Sequence, residues 1–276
     1  MLKDSVKHIN IKKVSINGIV DAEDQLAVEE PLEIRINYDL DGEQTKKSIS
    51  VTMRTPGNDE ELAVGFLFTE GIIKDRNQVT NIKSDLFDDN KVTVTLAENV
   101  TPKLQTSERN FYTTSSCGVC GKSSIDAIKT VSSYRGENDD ISVSGGLFYT
   151  LQETLRNQQE VFQNTGGLHA SALFDLEGSF VLLREDVGRH NALDKVIGAS
   201  FLSEQLPLTN TILLLSGRAS FELIQKASMA GIKIVAAIGA PSSLALQLAE
   251  DFGITLIGFL GRERFNIYSG SQRIML

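Results

Sequence analysis

Three short and almost wholly apolar runs near the end of the chain constrain its fold more than any other feature. They are Ile212–Leu215, Ile234–Ile238 and Thr255–Phe259. Strands of a parallel sheet have this composition because helices cover both faces of the sheet. Helical segments separate the runs, and a long helix over 144–164 and a strand hairpin over 169–183 precede them. The order predicts an α/β fold with a three-layer α/β/α arrangement.

The first hundred residues follow a different pattern. Leu32–Leu40 alternates apolar and polar side chains, which is typical of a half-buried strand, and two further segments do the same. A helix is expected over Asp59–Thr69, capped by the side chain of Asn58 and ended by Gly71. The sequence therefore divides into a small α+β domain and an α/β domain, over residues 1–110 and 111–276.

Charge and hydropathy exclude several classes of protein. The 276 residues carry a formal net charge of −9, whereas proteins that bind nucleic acid present a basic face. No apolar run is long enough to span a bilayer, and the first ten residues lack the apolar stretch of a signal peptide. We expect a cytoplasmic protein with no membrane or nucleic-acid partner. Its size and apolar helices favour a homodimer.

The chain has two cysteines, Cys117 and Cys120, and their spacing is compatible with metal binding, dithiol redox chemistry or nucleophilic catalysis. A structural zinc site needs four ligands, and the available histidines, His8, His169 and His190, are widely scattered. A thioredoxin-like Cys-x-x-Cys belongs near the start of a βαβ unit, whereas a hundred residues of another domain precede this one.

A nucleophilic thiolate that carries sulfur as a persulfide suits the segment better. A helix N-terminus and a nearby cation both lower the pKa of a cysteine. A helix that begins near Gly121, together with Lys122, would supply both, and Gly118 leaves room for a partner. Two buried, inert cysteines are the structural alternative, but the neighbouring serine, threonine and glycine residues favour exposure.

Zinc deaminases provide one further comparison for the Cys-x-x-Cys motif. They combine it with an upstream His-x-Glu, whose glutamate moves protons. In this chain His169 is followed by Ser171 at the glutamate position, and the segment comes after the cysteines. The sequence therefore argues against deaminase chemistry.

Glycine-rich turns with hydroxyl or guanidinium groups follow each of the three apolar strands. They are Ser216–Ser220, Gly239–Ser243 and Gly261–Asn266. Ligands bind at the carboxyl ends of parallel strands, and backbone N–H groups and arginines suit phosphate. We expect a phosphate-bearing ligand at this edge. Arg189 and His190 either form a wall of the same site or cap the next helix, and His190 is equally compatible with a structural role.

Five long motifs in fixed order make the chain resemble the FdhD family, the formate dehydrogenase accessory sulfurtransferases. They are Ser-Cys-Gly-Val-Cys-Gly at 116–121, Gly-Gly-Leu-His-Ala at 166–170, Arg-Glu-Asp-Val-Gly-Arg-His-Asn-Ala-Leu-Asp-Lys at 184–195, Ser-Gly-Arg-Ala-Ser-Phe-Glu at 216–222 and Gly-Phe-Leu-Gly-Arg-Glu-Arg-Phe-Asn-Ile-Tyr at 258–268. The resemblance covers nearly the whole chain. It implies a second domain similar in fold to cytidine deaminases.

The resemblance also implies a function. A family member takes persulfide sulfur from a cysteine desulfurase and delivers it to the molybdenum bis-molybdopterin guanine dinucleotide cofactor of formate dehydrogenase. Cys117 would hold the persulfide and Cys120 would assist, with no metal bound directly by the protein. The expected cofactor contacts, including those drawn from the turns, are Phe259, Leu260, Gly261, Arg262, Glu263, Arg264, Ser216, Arg218 and His190. A chaperone that holds the cofactor without transferring sulfur and a zinc-dependent hydrolase are the alternatives.

Overall fold

The structure is a computed structural model that describes residues 5–85, 88–98, 100–102, 104, 134 and 140–276. Cys117, Cys120, the helix expected from Gly121 and the domain boundary expected at residue 110 lie outside the described residues. The β-strands are β1 (Val6–Ser15), β2 (Gly18–Ala27), β3 (Glu30–Leu40), β4 (Glu43–Arg54), β5 (Val79–Ser84), β6 (Lys91–Leu96), β7 (Val143–Ser144), β8 (His169–Asp175), β9 (Phe180–Asp186), β10 (Thr211–Leu215), β11 (Ile234–Ala237), β12 (Thr255–Gly258), β13 (Asn266–Ser269) and β14 (Ile274–Met275). The α-helices are α1 (Asp59–Thr69), α2 (Phe148–Gln158), α3 (Glu160–Thr165), α4 (Arg189–Leu202), α5 (Phe221–Met229) and α6 (Ser243–Asp251).

A six-stranded sheet organises the second half of the chain, in the order β13-β12-β11-β10-β8-β9. The parallel pairing of β10 with β11 and of β11 with β12 confirms the arrangement predicted from the apolar runs. The hairpin β8–β9 joins β10 antiparallel, and β13 adds an antiparallel edge beside β12.

Helices cover both faces of this sheet, because its strand residues point alternately into two hydrophobic clusters. Leu213 and Val235 pack with residues of α4, α5 and α6. Ile212 and Ile234 pack on the opposite face with Phe148 and other residues of α2. The described residues therefore form the three layers that the sequence predicts. Similarity to cytidine deaminases stays a prediction.

The N-terminal part contains a four-stranded sheet, in the order β4-β3-β6-β5, with α1 packed into the same cluster as β3. The helix has the bounds that the sequence predicts, and Gly71 follows its end with a φ of +73°. The predicted side-chain cap is wrong. Asn58 adopts a left-handed backbone with a φ of 58°, and its side chain makes no hydrogen bond to the helix. The Leu62 N–H donates instead to the Asn58 carbonyl oxygen, at 2.9 Å.

Helices α1 and α4 join the N-terminal sheet to the six-stranded sheet at a very close crossing. A Cβ atom on Gly65 would lie 1.9 Å from the carbonyl oxygen of Asp194, and one on Gly198 would lie 1.8 Å from that of Glu61. Because no side chain fits at such distances, the two glycines set the spacing of the crossing.

The single helix predicted over 144–164 is wrong. Helix α2 ends at Gln158, and α3 begins at Glu160 after a non-helical, buried Gln159. The carboxylate of Glu185 accepts the N–H groups of Val161 and Phe162, each at 2.9 Å. This long-range contact caps a new helix and fixes the break, so a local pattern could not reveal it. The N-terminal hairpin β1–β2 is an element that no sequence pattern indicated.

Candidate functional site

Three turns at the carboxyl ends of the parallel strands lie side by side. Ser216–Arg218 follows β10, Ile238–Pro241 follows β11 and Phe259–Arg264 follows β12. Backbone hydrogen bonds link them: the Gly239 N–H donates to the Gly217 oxygen at 3.0 Å, and the Phe259 N–H donates to the Gly239 oxygen at 3.1 Å. The structure thus brings together the three segments predicted to form the ligand-binding edge.

Two glycines allow these turns to approach so closely. A Cβ atom on Gly239 would lie 3.0 Å from Cα of Arg218, and one on Gly258 would lie 2.7 Å from Cδ of Pro241. Both distances are too short for an ordinary side chain. The glycine-rich sequence of the turns therefore serves the packing of one turn against the next.

A pocket of about 450 Å³ opens beside the first turn, and its lining includes Arg156, Phe162, His169, Ser216 and Ile238. The Ser216 hydroxyl accepts the Ala170 N–H at 2.8 Å, which holds the turn against the first residues of β8. Burial lowers the pKa of His169, and the positive charge of Arg189 lowers it further. The lowered pKa favours the neutral form of the His169 imidazole, which lines the pocket together with the Arg156 guanidinium and the Phe162 ring.

Phe259 combines exposure with backbone strain. Its φ is +52°, in the left-handed region that bulky side chains rarely occupy. Two hydrogen bonds fix this backbone: the Phe259 N–H donates to the Gly239 oxygen and the Leu260 N–H donates to the Ala237 oxygen, both at 3.1 Å. The residue is 45% exposed. Strained residues persist only where the surrounding structure holds them in place, and they concentrate at functional sites. The geometry directs an aromatic ring to the surface of the edge.

The neighbours of Phe259 divide into core and surface. Leu260 is buried in the cluster that contains α2, so its side chain supports the turn from below. Arg262, Glu263 and Arg264 are exposed, and the Gly261 N–H donates to the Arg264 oxygen at 2.9 Å and closes the turn. The loop thus offers two guanidinium groups to solvent.

His190 lies beneath this edge and is 4% exposed. Its Nε2 is 3.4 Å from the Ser220 hydroxyl and 3.3 Å from a carboxylate oxygen of Glu222. These contacts agree with the structural role that the sequence left open, and direct contact with a ligand stays a prediction. The neighbouring Arg189 is half-buried, and its Nε has no hydrogen-bond partner among the described residues. Arg218 is exposed.

The Arg184–Lys195 motif contains anchoring residues that the sequence did not identify. Buried Asp186 forms an ion pair with Lys195 at 2.7 Å and accepts the Gly188 N–H at 2.8 Å. Lys195 also donates to the Thr55 carbonyl oxygen at 2.8 Å, so the network ties the end of β4 to β9 and α4. Burial raises the pKa of Asp186, and Lys195 opposes that shift. The available signal was a pair of charged residues, Asp194 and Lys195, within the otherwise apolar helix segment 192–199, because buried charges need partners.

A second buried ion pair joins α1, α4 and α5. The Lys226 ammonium lies 2.9 Å from a carboxylate oxygen of Asp194, and the Thr69 hydroxyl donates to the same carboxylate at 2.9 Å. Burying a charge is costly unless it is paired, so these contacts must form together. The polar residues Asp194 and Lys195 at the end of the Arg184–Lys195 motif therefore have structural partners, and their presence does not require a ligand.

The alternatives that invoke a metal gain no support from the described residues. Within the described ranges, no group of three or more histidine, cysteine, aspartate or glutamate side chains is arranged to hold a metal ion. The zinc site that would use Cys117 and Cys120 lies outside those ranges. Ser171, at the position where a deaminase has its glutamate, is buried in β8. Among the helices that the structure describes, none has the length and apolar character needed to cross a membrane.

Comparison with known proteins gives consistent matches. Residues 27–275 match the model of the FdhD/NarQ family. The sulfur carrier protein FdhD of Mycolicibacterium paratuberculosis is 50% identical over 90% of this chain and 91% of its own length. That of Thermoplasma volcanium is 40% identical over 100% of this chain and 98% of its own length.

A solved structure has the same fold. The crystal structure of a candidate formate dehydrogenase accessory protein from Desulfotalea psychrophila superposes with a TM-score of 0.76. The match covers 98% of this chain and 100% of that one, at 24% sequence identity. The motifs found in the sequence agree with the near full-length match to the family model, and the chain belongs to the FdhD/NarQ family.

Proposed function

We propose that this protein is a sulfur carrier that serves formate dehydrogenase. It accepts sulfur from the persulfide of a cysteine desulfurase in the cytoplasm and transfers it to the molybdenum bis-molybdopterin guanine dinucleotide cofactor, which it binds as a substrate. Relatives 40–50% identical over 90% or more of the chain are named sulfur carrier protein FdhD, which supports the general role.

The edge formed by the three linked turns carries the proposal for the acceptor. Exposed Arg218, Arg262 and Arg264 provide guanidinium groups that suit the phosphates of a guanine dinucleotide. The exposed ring of Phe259 offers a surface on which a planar base can stack. These donors and this ring fit the nucleotide ends of the cofactor.

The sulfur chemistry is assigned to the two cysteines. The Cys117 thiolate attacks the terminal sulfur of the desulfurase persulfide, which forms a new S–S bond and releases the desulfurase thiolate. The Cys120 thiolate then attacks Sγ of Cys117, expels the terminal sulfur as sulfide toward the acceptor and leaves a Cys117–Cys120 disulfide. A cellular dithiol supplies the two electrons that reduce this disulfide. The spacing of the two cysteines permits such a pair.

Intact mass spectrometry tests the sulfur-transfer proposal. The protein is incubated with a cysteine desulfurase and cysteine, and its mass is expected to increase by one sulfur atom in a form that a thiol reductant removes. Cys117→Ala should abolish the adduct, whereas Cys120→Ala should retain it because it lacks the attacking thiol. An adduct that persists in the Cys117→Ala, Cys120→Ala double variant would refute the assignment.

Activation of formate dehydrogenase distinguishes a carrier from a cofactor chaperone. The double cysteine variant is expected to bind guanosine diphosphate with wild-type affinity and to fail to activate the enzyme. If it activates the enzyme fully, the chaperone alternative replaces sulfur transfer. Arg262→Gln with Arg264→Gln should weaken the guanosine diphosphate affinity while the sulfur adduct still forms, and an unchanged affinity would exclude this loop from the binding site.

A further inference from the structure

Helix α3 lines the pocket beside the Ser216–Arg218 turn, and it has less support than the rest of that lining. One part of the lining, which includes His169, Ser216 and Ile238, belongs to β8 and to the turns of the six-stranded sheet. Another part comes from Phe162 of α3 and from the two glycines that follow the helix. The pocket thus combines a sheet edge with a helix of only six residues.

Little of α3 is packed into the core. The structure describes all of Glu160–Thr165, and none of these residues is buried, whereas Leu151 and Leu155 of α2 are fully buried. A second cavity, of about 200 Å³, adjoins the start of the helix and is lined by Glu160 and Val161. A segment with few buried contacts and empty space beside it opens locally at a low cost in free energy.

Non-helical backbone bounds α3 at both ends. Gln159 separates it from α2 with a φ of −82° and a ψ of 81°, and Gly166 follows it in the left-handed region with a φ of +65°. Hydrogen bonds within the segment hold it together: the Thr165 hydroxyl donates to the Val161 oxygen at 2.9 Å, and the Gly166 N–H donates to the Phe162 oxygen at 2.7 Å. An internally bonded unit between two such junctions has the construction of a hinged element.

The Glu185 carboxylate joins α3 to the sheet. Its two oxygens accept the N–H groups of Val161 and Phe162, each at 2.9 Å. Both bonds are charge-assisted, and N–H groups in the first turn of a helix have no acceptor within that helix. The Gln163 side chain adds a bond to the Arg156 oxygen at 2.7 Å, but this bond leads back to α2 beside the junction at Gln159. The helix also contacts β2 of the N-terminal hairpin.

We propose that α3 is a hinged lid on this pocket and that the Glu185 carboxylate is its latch. Release of the two N–H groups lets the helix turn about Gln159 and Gly166, which moves the Phe162 ring away from the pocket and admits a ligand. Re-formation of the two bonds returns the ring and retains the ligand. That this ligand is a nucleotide rests on the proposed function, because the pocket adjoins the Ser216–Arg218 turn. The latch belongs to the free protein and does not depend on that function.

Hydrogen exchange of the ligand-free full chain tests the latch. In the wild type, the amides of residues 161–166 should exchange through a local opening that urea does not accelerate, whereas those of α4 should exchange through global unfolding. Glu185→Gln removes the charge and one of the two acceptor oxygens, so exchange at 161–166 should become about tenfold faster. Glu177→Gln makes the same change at an exposed position of the β8–β9 hairpin and should leave the wild-type rate. Wild-type exchange of 161–166 only through global unfolding, or an unaltered rate in a natively folded Glu185→Gln variant, would overturn the proposal.

Ligand kinetics test the lid. The chain contains no tryptophan, so Phe162→Trp introduces a single fluorescent reporter into the lining of the pocket. Guanosine diphosphate should change its emission, and the observed binding rate should level off at high concentration because opening becomes rate-limiting. Adding Glu185→Gln should raise this limiting rate and the dissociation rate by about tenfold each, whereas adding Glu177→Gln should change neither.

The two measurements separate failure of the lid from failure of the nucleotide site. Equal binding and dissociation rates with and without Glu185→Gln would overturn the lid. If the wild-type protein binds no guanosine diphosphate, the proposed nucleotide edge is wrong, and hydrogen exchange alone upholds or overturns the hinged, latched helix.

Discussion

Replacing Phe259 by glycine should separate the strain at this position from its proposed role in binding. A non-glycine residue in the left-handed region costs about 1–2 kcal/mol, and glycine removes that cost. The ring is 45% exposed, so its loss forfeits about half of the ~1.5–3 kcal/mol that full burial of a phenylalanine contributes. Glycine also gains unfolded-state entropy, which costs about 0.4–1 kcal/mol. The free energy of unfolding of Phe259→Gly should therefore remain within about 1 kcal/mol of the wild-type value.

Phe259→Ala is the matched control, because alanine loses the ring and keeps the strained backbone. It should be less stable than Phe259→Gly by about 1 kcal/mol in urea denaturation. Both variants should bind guanosine diphosphate more weakly by calorimetry, since stacking of a base on an aromatic ring contributes about 1–3 kcal/mol. Phe259→Tyr should keep the affinity. Equal stability of the alanine and glycine variants would refute the strain, and unchanged affinity in both would refute the stacking.

Three further predictions concern the helix crossing, a buried ion pair and a titrating histidine. Gly198→Ala would place a methyl group 1.8 Å from the Glu61 carbonyl oxygen. The forced separation of the two helices should lower the free energy of unfolding in urea by about 3 kcal/mol, and a wild-type urea midpoint would contradict this packing. Lys226→Met leaves the Asp194 carboxylate buried without its ion-pair partner, so the free energy of unfolding measured in urea should fall by about 3–5 kcal/mol. Adding Asp194→Leu should recover much of this loss. The pKa of His169 is lowered below its ordinary value of 6.5, so the unfolded chain binds a proton first as the pH falls. Thermal stability should therefore be fully present above pH 6.5 and decrease as the pH falls toward the folded-state pKa, and His169→Gln should reduce this dependence; an identical pH profile in the variant would exclude His169 as its source.

The edge formed by the three linked turns depends on both local sequence and tertiary packing. Glycines after each parallel strand predict turns at one edge of the sheet, since parallel strands end on the same side. The hydrogen bond between Phe259 and Gly239 and the close approach of Gly239 to Arg218 show how the turns contact one another. The left-handed backbone of Phe259 could not be predicted, because its amino-acid type disfavours that conformation.

The nearly continuous apolar runs by themselves predicted the parallel strands and the layered α/β organisation, because strands covered on both faces need apolar side chains throughout. The turn residues Asn58 and Gly71 predicted the bounds of helix α1. The glycines that follow the apolar strands predicted three turns at one edge of the sheet, and binding of a ligand there stays a prediction. Tertiary structure alone decided which polar residues hold the molecule together. Asp186 with Lys195, and Asp194 with Lys226, become necessary partners only when burial removes water from both members of each pair. The helix break at Gln159 likewise depends on Glu185, a residue distant in sequence whose carboxylate reaches the N–H groups only after the chain has folded.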